Sequence, residues 1–199
     1  MFPDEQWTPL ALETVASVFA RAPFQWGLGG GYAIEQFLGA PMRRHDDVDI
    51  ALFRDQQLAA QRHLAGWQLY ASDPPGTLRR WNEGEYLPFG IHDIWAHREG
   101  APGWEFQFLV VEVAGDEWFH RRSPEIRGAR ADLIVDYHGF PWVLVEVQLM
   151  YKAKSMRPKD QQDFAACLPR LSVEAKAWLG GSLRVLYPDG HPWLEALAS

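Results

Sequence analysis

Residues 24–53 read FQWGLGGGYAIEQFLGAPMRRHDDVDIALF, and this stretch decides the fold. The apolar residues 24–28 predict a short buried strand, which leads directly into Gly29–Gly31. In residues 31–39 the apolar side chains recur at helical spacing and a glycine follows them, which predicts a short helix. The three glycines therefore lie on a turn between a strand and a helix.

A glycine turn at the start of a helix favours phosphate binding. Without side chains, the backbone N–H groups of the turn can approach phosphate oxygens closely, and the helix N-terminus adds a favourable field. The turn is neither a Walker loop, which needs Gly-Lys-Ser/Thr, nor a GxGxxG dinucleotide turn. A tight turn without any ligand is the alternative, so the interpretation depends on the residues that come next along the chain.

Two carboxylates follow on the next predicted strand, residues 47–53. Asp47 and Asp49 are two residues apart, so in a strand their side chains face the same side, while the apolar residues Val48 and Ile50 face the core. At about 5 Å and an effective dielectric of about 20, two like charges repel by roughly 3 kcal/mol. A divalent cation between them reverses the sign, and carboxylate oxygens are ligands that Mg²⁺ prefers. The alternative is an acidic strand face that is merely solvated.

The segment WGLGGGYAIEQFLGAPMRRHDDVDIALF resembles the N-terminal signature of the nucleotidyltransferase (DNA polymerase β-like) superfamily. Within it, the aminoglycoside adenylyltransferases of the gentamicin/kanamycin-resistance type are the most similar, and the likeness covers about residues 24–55. The resemblance implies a Mg²⁺-dependent enzyme that moves a nucleoside monophosphate from an NTP, with ATP as co-substrate, to a hydroxyl of a small acceptor such as an aminoglycoside-like compound.

The same resemblance implies residue roles. Asp47 and Asp49 would hold the Mg²⁺ that bridges the ATP phosphates, and Gly29, Gly30 and Gly31 would bind the phosphates. Many members of the superfamily have Gly-Ser where this chain has Gly-Gly, so the phosphate contacts here would come from the backbone alone.

A third carboxylate would complete the metal site or act as general base. Asp93, in the predicted strand 86–96, is favoured because apolar residues flank it, as they do at the resembled position. Glu105 and Glu112, in the next apolar stretch, are the alternatives. His92 could accept the proton of the acceptor hydroxyl instead.

Basic residues for the triphosphate are expected beside the aspartates and in YKAKSMRPKDQQDF, residues 151–164. Arg43, Arg44 and His45 lie just before the aspartates and could face the phosphates, or they could form a solvated loop. Related transferases carry a KxRPKDxxD stretch in the later position, which makes Lys152, Lys154 and Lys159 candidates. A lysine there would stabilise the negative charge that the leaving pyrophosphate gains.

Composition limits the partners. The 199 residues carry a net charge of −7 with a pI near 5.5, which argues against a nucleic-acid surface. The single cysteine, Cys167, allows no intrachain disulfide and suits the cytoplasm. Neither a signal-peptide pattern nor an apolar run near the ~20 residues that cross a bilayer is present, so no membrane partner is predicted.

Two further sets of residues bear on the acceptor. Aromatic faces stack on sugars and bases, and six tryptophans on or near predicted strands are candidates for the core or for an acceptor pocket: Trp26, Trp81, Trp95, Trp104, Trp118 and Trp142. Acidic residues near predicted loops would favour a cationic acceptor if they lined the cleft: Glu83, Glu85, Glu99, Asp116 and Glu117.

The predicted fold is α+β, a mixed β-sheet nucleotidyltransferase core with packed helices and a helical C-terminal section. Residues 1–140 are assigned to the catalytic core and 141–199 to the section that closes the nucleotide cleft. Further helices are predicted at Thr8–Arg21, with Thr8 as N-cap, and at Asp55–Leu64, with Asp55 as cap. Further strands are predicted near 67–71, 77–82, 86–96, 104–113 and 117–121, followed by a hairpin turning at His138-Gly139 and by short helices broken at Pro158, Pro169 and Gly180-Gly181.

Three other functions stay open at this point. The chain could transfer nucleotides to protein or RNA, as toxin-like relatives do. It could be a catalytically inactive relative that binds nucleotide as a sensor. It could also be an interaction module in which the acidic strand is incidental.

Overall fold

The structure of the protein is a computed structural model that describes residues 6–137 and 140–198. Its strands are β1 (Trp26–Leu28), β2 (Asp49–Phe53), β3 (Trp67–Ser72), β4 (Leu78–Arg80), β5 (Asp93–Arg98), β6 (Phe106–Ala114), β7 (Glu117–His120), β8 (Ser123–Ala129), β9 (Ile134–Tyr137) and β10 (Phe140–Val143). Its helices are α1 (Leu12–Phe19), α2 (Gly30–Leu38), α3 (Gln57–His63), α4 (Arg130–Leu133), α5 (Val145–Lys152), α6 (Pro158–Cys167), α7 (Val173–Leu186) and α8 (Trp193–Leu197). The predicted α+β class is confirmed.

The strands form one mixed sheet in the order β4-β3-β5-β6-β2-β1-β10-β9, and β7 and β8 extend it from the far end of β6. The long strand β6 is central, because it pairs parallel with β2 and antiparallel with both β5 and β7. Strand β10 pairs parallel with β1. The two strands that carry the predicted acids, β2 and β5, therefore flank the same central strand.

Side chains of β2 alternate between two cores, one on each face of the sheet. Ile50 and Leu52 are fully buried in a core that also contains Val15 and Phe19 of α1. Ala51 and Phe53 belong to the other core, which includes α2 and the C-terminal helices α5 to α7. The predicted orientation of the apolar residues of this strand is confirmed, because residues two apart share a face.

The first helix begins at Leu12, four residues later than predicted, and Thr8 is not its N-cap. The N–H groups of Thr8 and Leu10 instead donate to the carbonyls of Trp104 and Glu105, at 2.8 and 3.0 Å. This tertiary pairing holds residues 7–10 in extended conformation, so the local helix signal is overridden.

Other boundaries also differ from the prediction. Asp55 lies within a short 3₁₀ turn, Arg54–Gln56, and does not cap α3. Of the strand predicted over 86–96, only the part from Asp93 onward belongs to β5. The prediction did not include β8. Gly180-Gly181 lies inside α7 without breaking it, because the buried Leu179 and Leu183 anchor the helix on either side.

The predicted β-hairpin is present as an antiparallel pair, β9 with β10, in which Tyr137 lies opposite Phe140. Its turn, His138-Gly139, lies outside the described residues. The boundary near residue 140 stays a prediction. No helix within residues 6–137 and 140–198 combines the length and apolar composition that spanning a bilayer requires.

Candidate active site

The glycine turn and the acidic strand are in direct contact. The N–H of Gly29 donates to the Asp49 carbonyl at 2.8 Å. Gly30 has a φ of +58°, and a Cβ added to it would overlap Asp49 Oδ2 and lie 3.0 Å from Asp49 Cγ. Only glycine combines this backbone conformation with this close approach. Residue 30 must therefore be glycine for the Asp49 carboxylate to lie against the turn.

The third glycine makes room for the loop that precedes the acids. A Cβ at Gly31 would overlap the ring of His45. His45 Nε2 lies 2.8 Å from Glu35 Oε1 on α2, and the same carboxylate oxygen accepts the N–H groups of Met42 and Arg43 at 2.7 and 3.1 Å. Helix α2 thus holds the loop that carries Asp47 toward β2.

Among the acids of the site, Asp49 has the pKa that departs most from its ordinary value. Burial, followed by the neighbouring charge of Asp47, raises the pKa of Asp49 to about 6, and the charge of Asp93 acts in the same direction. Gln107 Nε2 donates to Asp49 Oδ1 at 2.5 Å, and this hydrogen bond and the charge of Lys152 favour the ionised form. A half-buried carboxylate beside two others is stabilised in its charged form by a bound cation.

Strand register places Asp93 on the same face as Asp49. Asp93 lies opposite Leu109 on β6, and Asp49 lies opposite Gln107, two residues earlier on the same strand. Burial raises the pKa of Asp93. Asp93 is therefore two strands away from Asp49, with its carboxylate on the same side of the sheet.

The alternative third carboxylates are both engaged in ion pairs. Glu105 accepts Arg98 Nε at 3.0 Å and is not among the described residues that line the cavity beside Asp49 and Asp93. Glu112 forms a bidentate pair with the buried Arg54, at 2.7 and 2.6 Å. Of the three candidates, Asp93 is the one without such a partner among the ion pairs of the described residues.

Arg54 also supports the loop that leads to Asp93. Its guanidinium donates to the carbonyls of Leu87, Pro88 and Ile91, at 3.1, 3.1 and 2.7 Å. This explains why the segment before Asp93 is a loop and not the predicted strand: its carbonyls bind an arginine side chain. Nothing in the sequence pattern indicated this role for Arg54.

Asp49 and Asp93 open into one cavity of about 220 Å³. Gly29 and Gly30 line it, as does Gln148 of α5, whose Oε1 accepts the N–H of Gly30. The basic residues of the lining are Arg121, Lys152 and Arg157. The rest of the wall is largely apolar and includes Ala51, Leu109, Val111, Trp118, Phe119, Leu133, Val143, Val147 and Tyr151.

The donor set suits a hard divalent cation. Asp49 offers a half-buried carboxylate with Asp47 close enough to raise its pKa, and oxygen ligands of this kind match Mg²⁺. Asp47 itself is not among the described residues that line the cavity. In the described residues, no three His, Cys, Asp or Glu side chains are gathered closely enough to form a complete metal site.

Two acids of α6 hold the cations of the cavity in place. Lys152 Nζ lies 2.8 Å from Asp163 Oδ2 and 3.6 Å from Asp160 Oδ1, and both aspartates are fully buried. Arg157 Nε lies 2.8 Å from Asp160 Oδ2. The acidic residues of the KxRPKDxxD stretch thus orient the basic ones, and Asp160 also accepts the Arg157 N–H at the helix start.

The other predicted phosphate ligands lie elsewhere. Arg44 and Lys154 are exposed and Lys159 is half-buried, and none of the three is among the described residues that line the cavity. Lys154 falls just beyond the end of α5, whereas Lys152 is the last residue of that helix. Arg157 belongs to the stretch that the sequence singled out, but Arg121 had no signal in the sequence.

Comparison with known proteins supports the fold, and the family match includes the glycine turn. A family model for aminoglycoside-2''-adenylyltransferase matches residues 11–71. No curated protein sequence matches the chain. The crystal structure of ANT(2'')-Ia in complex with adenylyl-2''-tobramycin is 14% identical, with a TM-score of 0.54 over 86% of this chain and 94% of that one.

Two further solved structures have the same fold. The lincosamide antibiotic adenylyltransferase LnuA, with lincomycin bound, is 16% identical with a TM-score of 0.53, over 81% of this chain and 96% of that one. The solution structure of ANT(2'')-Ia is 16% identical with a TM-score of 0.55, over 89% and 91%. These structures share an architecture with this chain at low sequence identity.

Proposed function

We propose that this chain, which belongs to the nucleotidyltransferase superfamily, is a Mg²⁺-dependent adenylyltransferase that moves AMP from ATP to a hydroxyl of a small acceptor. The observation that carries the proposal is the contact between Gly30 and Asp49 at the mouth of a cavity that also contains Asp93 and Lys152. The neighbouring structures hold antibiotics or an adenylylated antibiotic, which supports a small hydroxylated acceptor.

Asp47 and Asp49 would hold the metal. When bound there, Mg²⁺ supplies positive charge that offsets the charge on the ATP phosphates. Because Gly30 has no side chain, the Asp49 carboxylate can lie directly against the turn at the start of α2. The N–H groups of Gly31 and Tyr32, in the first turn of α2, have no acceptor within their own helix and would be the backbone donors to a phosphate oxygen.

Lys152 and Arg157 would receive the leaving group. Both line the cavity and are held by carboxylates of α6, so their positive charges are oriented before substrate arrives. Positive charge fixed in advance near the leaving pyrophosphate stabilises the transition state without reorganisation. Arg44, Lys154 and Lys159 are not among the described residues that line the cavity, and they are left to a weaker, long-range attraction of the nucleotide.

Asp93 is proposed as the general base. The acceptor hydroxyl oxygen attacks the α-phosphorus of ATP, and its proton passes to the Asp93 carboxylate. A new oxygen–phosphorus bond forms while the bond to the bridging oxygen breaks, and its electron pair leaves with pyrophosphate. Burial raises the pKa of Asp93, which makes its carboxylate a better proton acceptor.

The location and the domain division are part of the proposal. A cytoplasmic enzyme has ATP at hand, and the buried Cys167 is a free thiol. Residues 141–199 supply Gln148, Lys152 and Arg157 to the cavity, which fits a C-terminal section that closes over the nucleotide.

Calorimetric titration with ATP and Mg²⁺ tests the proposal. Wild-type protein should bind ATP only with the metal present, and Asp49→Asn should weaken binding by about tenfold or more, which is a loss of about 1.4 kcal/mol. Asp116→Asn, an exposed acid outside the cavity, is the matched control and should bind as the wild type does. A wild-type protein that binds no nucleotide with Mg²⁺ present would exclude the proposed function.

A further inference from the structure

The cavity has two ends of different character. Gly30, Asp49 and Lys152 mark the end proposed to hold the nucleotide. The other end is formed where β5 begins and β7 finishes, side by side on one edge of β6. There, Val110 N–H donates to the His92 carbonyl at 2.7 Å, and Phe119 lies opposite Glu112, only two residues further along β6.

This arrangement places a cation beside the proposed base. Arg121 lies in the turn immediately after β7 and lines the cavity together with Asp93. Its charge acts on Asp93, and after burial it is the main cause that lowers the pKa of His92 to about 4. Arg121 supplies positive charge at this end of the cavity.

The acids that would attract a cationic acceptor are absent from this wall. Glu112 lines the cavity, but its carboxylate is neutralised by Arg54 at 2.6 Å. Glu83, Glu85, Glu99, Asp116 and Glu117, which the sequence suggested for this purpose, are not among the described residues that line it. Asp93 remains, and the proposed reaction requires its carboxylate as proton acceptor.

The surface between the two ends is apolar and aromatic. Trp118 and Leu133 are almost fully buried, and Tyr151 lies beside them along the wall. The ring of Trp178 packs against Trp118, with 6.0 Å between the two ring centroids. Such a wall binds apolar or flat groups and does not solvate ammonium groups.

Resting on the proposed function, we infer that the acceptor is a hydroxyl compound with an apolar portion and no more than one positive charge. A neutral or anionic group of that compound lies next to Arg121, and its apolar portion lies on the wall of Trp118 and Tyr151. A polycation such as an aminoglycoside is a poor acceptor, because its ammonium groups meet Arg121 and an apolar wall, while the carboxylates of Asp49 and Asp93 are used by the proposed metal and the proposed proton transfer.

Calorimetry with three probes tests this inference. The protein is first loaded with Mg²⁺ and α,β-methylene ATP, and is then titrated with tobramycin (a polycation), lincomycin (a monocation) or para-nitrophenyl glucoside (uncharged). At about 0.15 M salt, lincomycin or the glucoside should bind at least about tenfold more tightly than tobramycin.

A variant with reversed charge at residue 121 provides the second part of the calorimetric test. Arg121→Glu should strengthen tobramycin binding by about tenfold or more, because it replaces repulsion by attraction. Arg127→Glu is the matched control, since Arg127 is exposed and pairs with Glu117 on the surface at 3.2 Å. It should leave the order of the three probes unchanged.

Several results would overturn the inference: tightest binding of tobramycin, binding of neither weakly charged probe, or no gain for tobramycin in Arg121→Glu. If that variant does not fold, Arg121→Gln takes its place, because loss of the repelling charge should still strengthen tobramycin binding. Failure of the loading step with the ATP analogue would instead refute the proposed function itself, so the two failures are distinguishable.

Discussion

Replacing Gly30 by alanine should damage both stability and nucleotide binding. At a φ of +58°, an L-residue costs roughly 1–2 kcal/mol relative to glycine. The added Cβ would also overlap Asp49 Oδ2, and overpacking of this kind costs about 1–3 kcal/mol more. Gly30→Ala should therefore lower the free energy of unfolding by roughly 2–5 kcal/mol, and displace the carboxylate that is proposed to hold the metal.

Gly39 offers a matched control for the backbone part of this cost. It ends α2 with a φ of +68°, and a Cβ there would meet no atom within 4 Å. Gly39→Ala should cost only the backbone strain, roughly 1–2 kcal/mol. The difference between the two variants in urea unfolding measures the contact with Asp49, and calorimetry with ATP and Mg²⁺ measures its effect on the site.

A double variant isolates that contact further. Asp49→Ala removes the carboxylate that the new Cβ would strike, so Gly30→Ala should cost less in its presence than in the wild type, and the two substitutions should couple by about 1 kcal/mol or more. Equal losses for Gly30→Ala and Gly39→Ala, with ATP binding retained in both, would refute the argument that the turn lies on the acid.

Three other predictions concern buried charges. Arg54→Met should lower the free energy of unfolding by about 3–5 kcal/mol in urea titration, because a buried carboxylate loses its partner. Asp163→Asn should raise the KM for ATP about tenfold in a pyrophosphate-release assay with the fold intact by circular dichroism, since Lys152 loses its shorter ion pair. Asp49→Asn should stabilise the metal-free protein above about pH 6 and not at about pH 4, as measured by urea midpoints. The raised pKa of Asp49 means that wild-type stability falls as pH rises from the unfolded value near 4 to about 6.

The sequence predicted the part of the site that is built from neighbouring residues. Strand, glycine turn, helix and acidic strand lie within residues 24–53, and each has a local signal: apolar alternation, glycine and helical spacing. The same stretch supplies Gly30 and Asp49, whose contact is the centre of the site. Local periodicity was sufficient there because few residues separate the partners.

Residues brought together by distant pairing were missed or misplaced. Arg121 reaches the cavity because β7 pairs with the end of β6, and Arg54 supports the Asp93 loop across 33 to 37 residues of chain. Neither Arg121 nor Arg54 lies in a segment whose apolar periodicity indicates its role. Thr8 was wrongly predicted as a helix cap for the same reason, since its N–H pairs with Trp104, far along the chain.

The sequence also could not distinguish among neighbouring residues of the same type. Lys152, Lys154 and Lys159 fall within eight residues and have the same chemistry, so composition does not rank them. The helix α5 decides, because it ends at Lys152 and turns that side chain toward Asp160 and Asp163. Pairing with buried acids thus distinguishes Lys152, the lysine of the proposed phosphate site, from the other two.

The distribution of buried charge argues that this region was shaped for chemistry more than for stability. Asp160 and Asp163 are fully buried, and burying a carboxylate costs several kcal/mol, which pairing offsets at best. Apolar residues at these positions would stabilise α6 at least as well. The two acids instead hold Lys152, and Asp163 also lies 3.4 Å from Arg43, in the loop that leads to Asp47. One buried carboxylate therefore links the proposed metal loop to the proposed phosphate cation, and substitution of Asp163 should disturb both together.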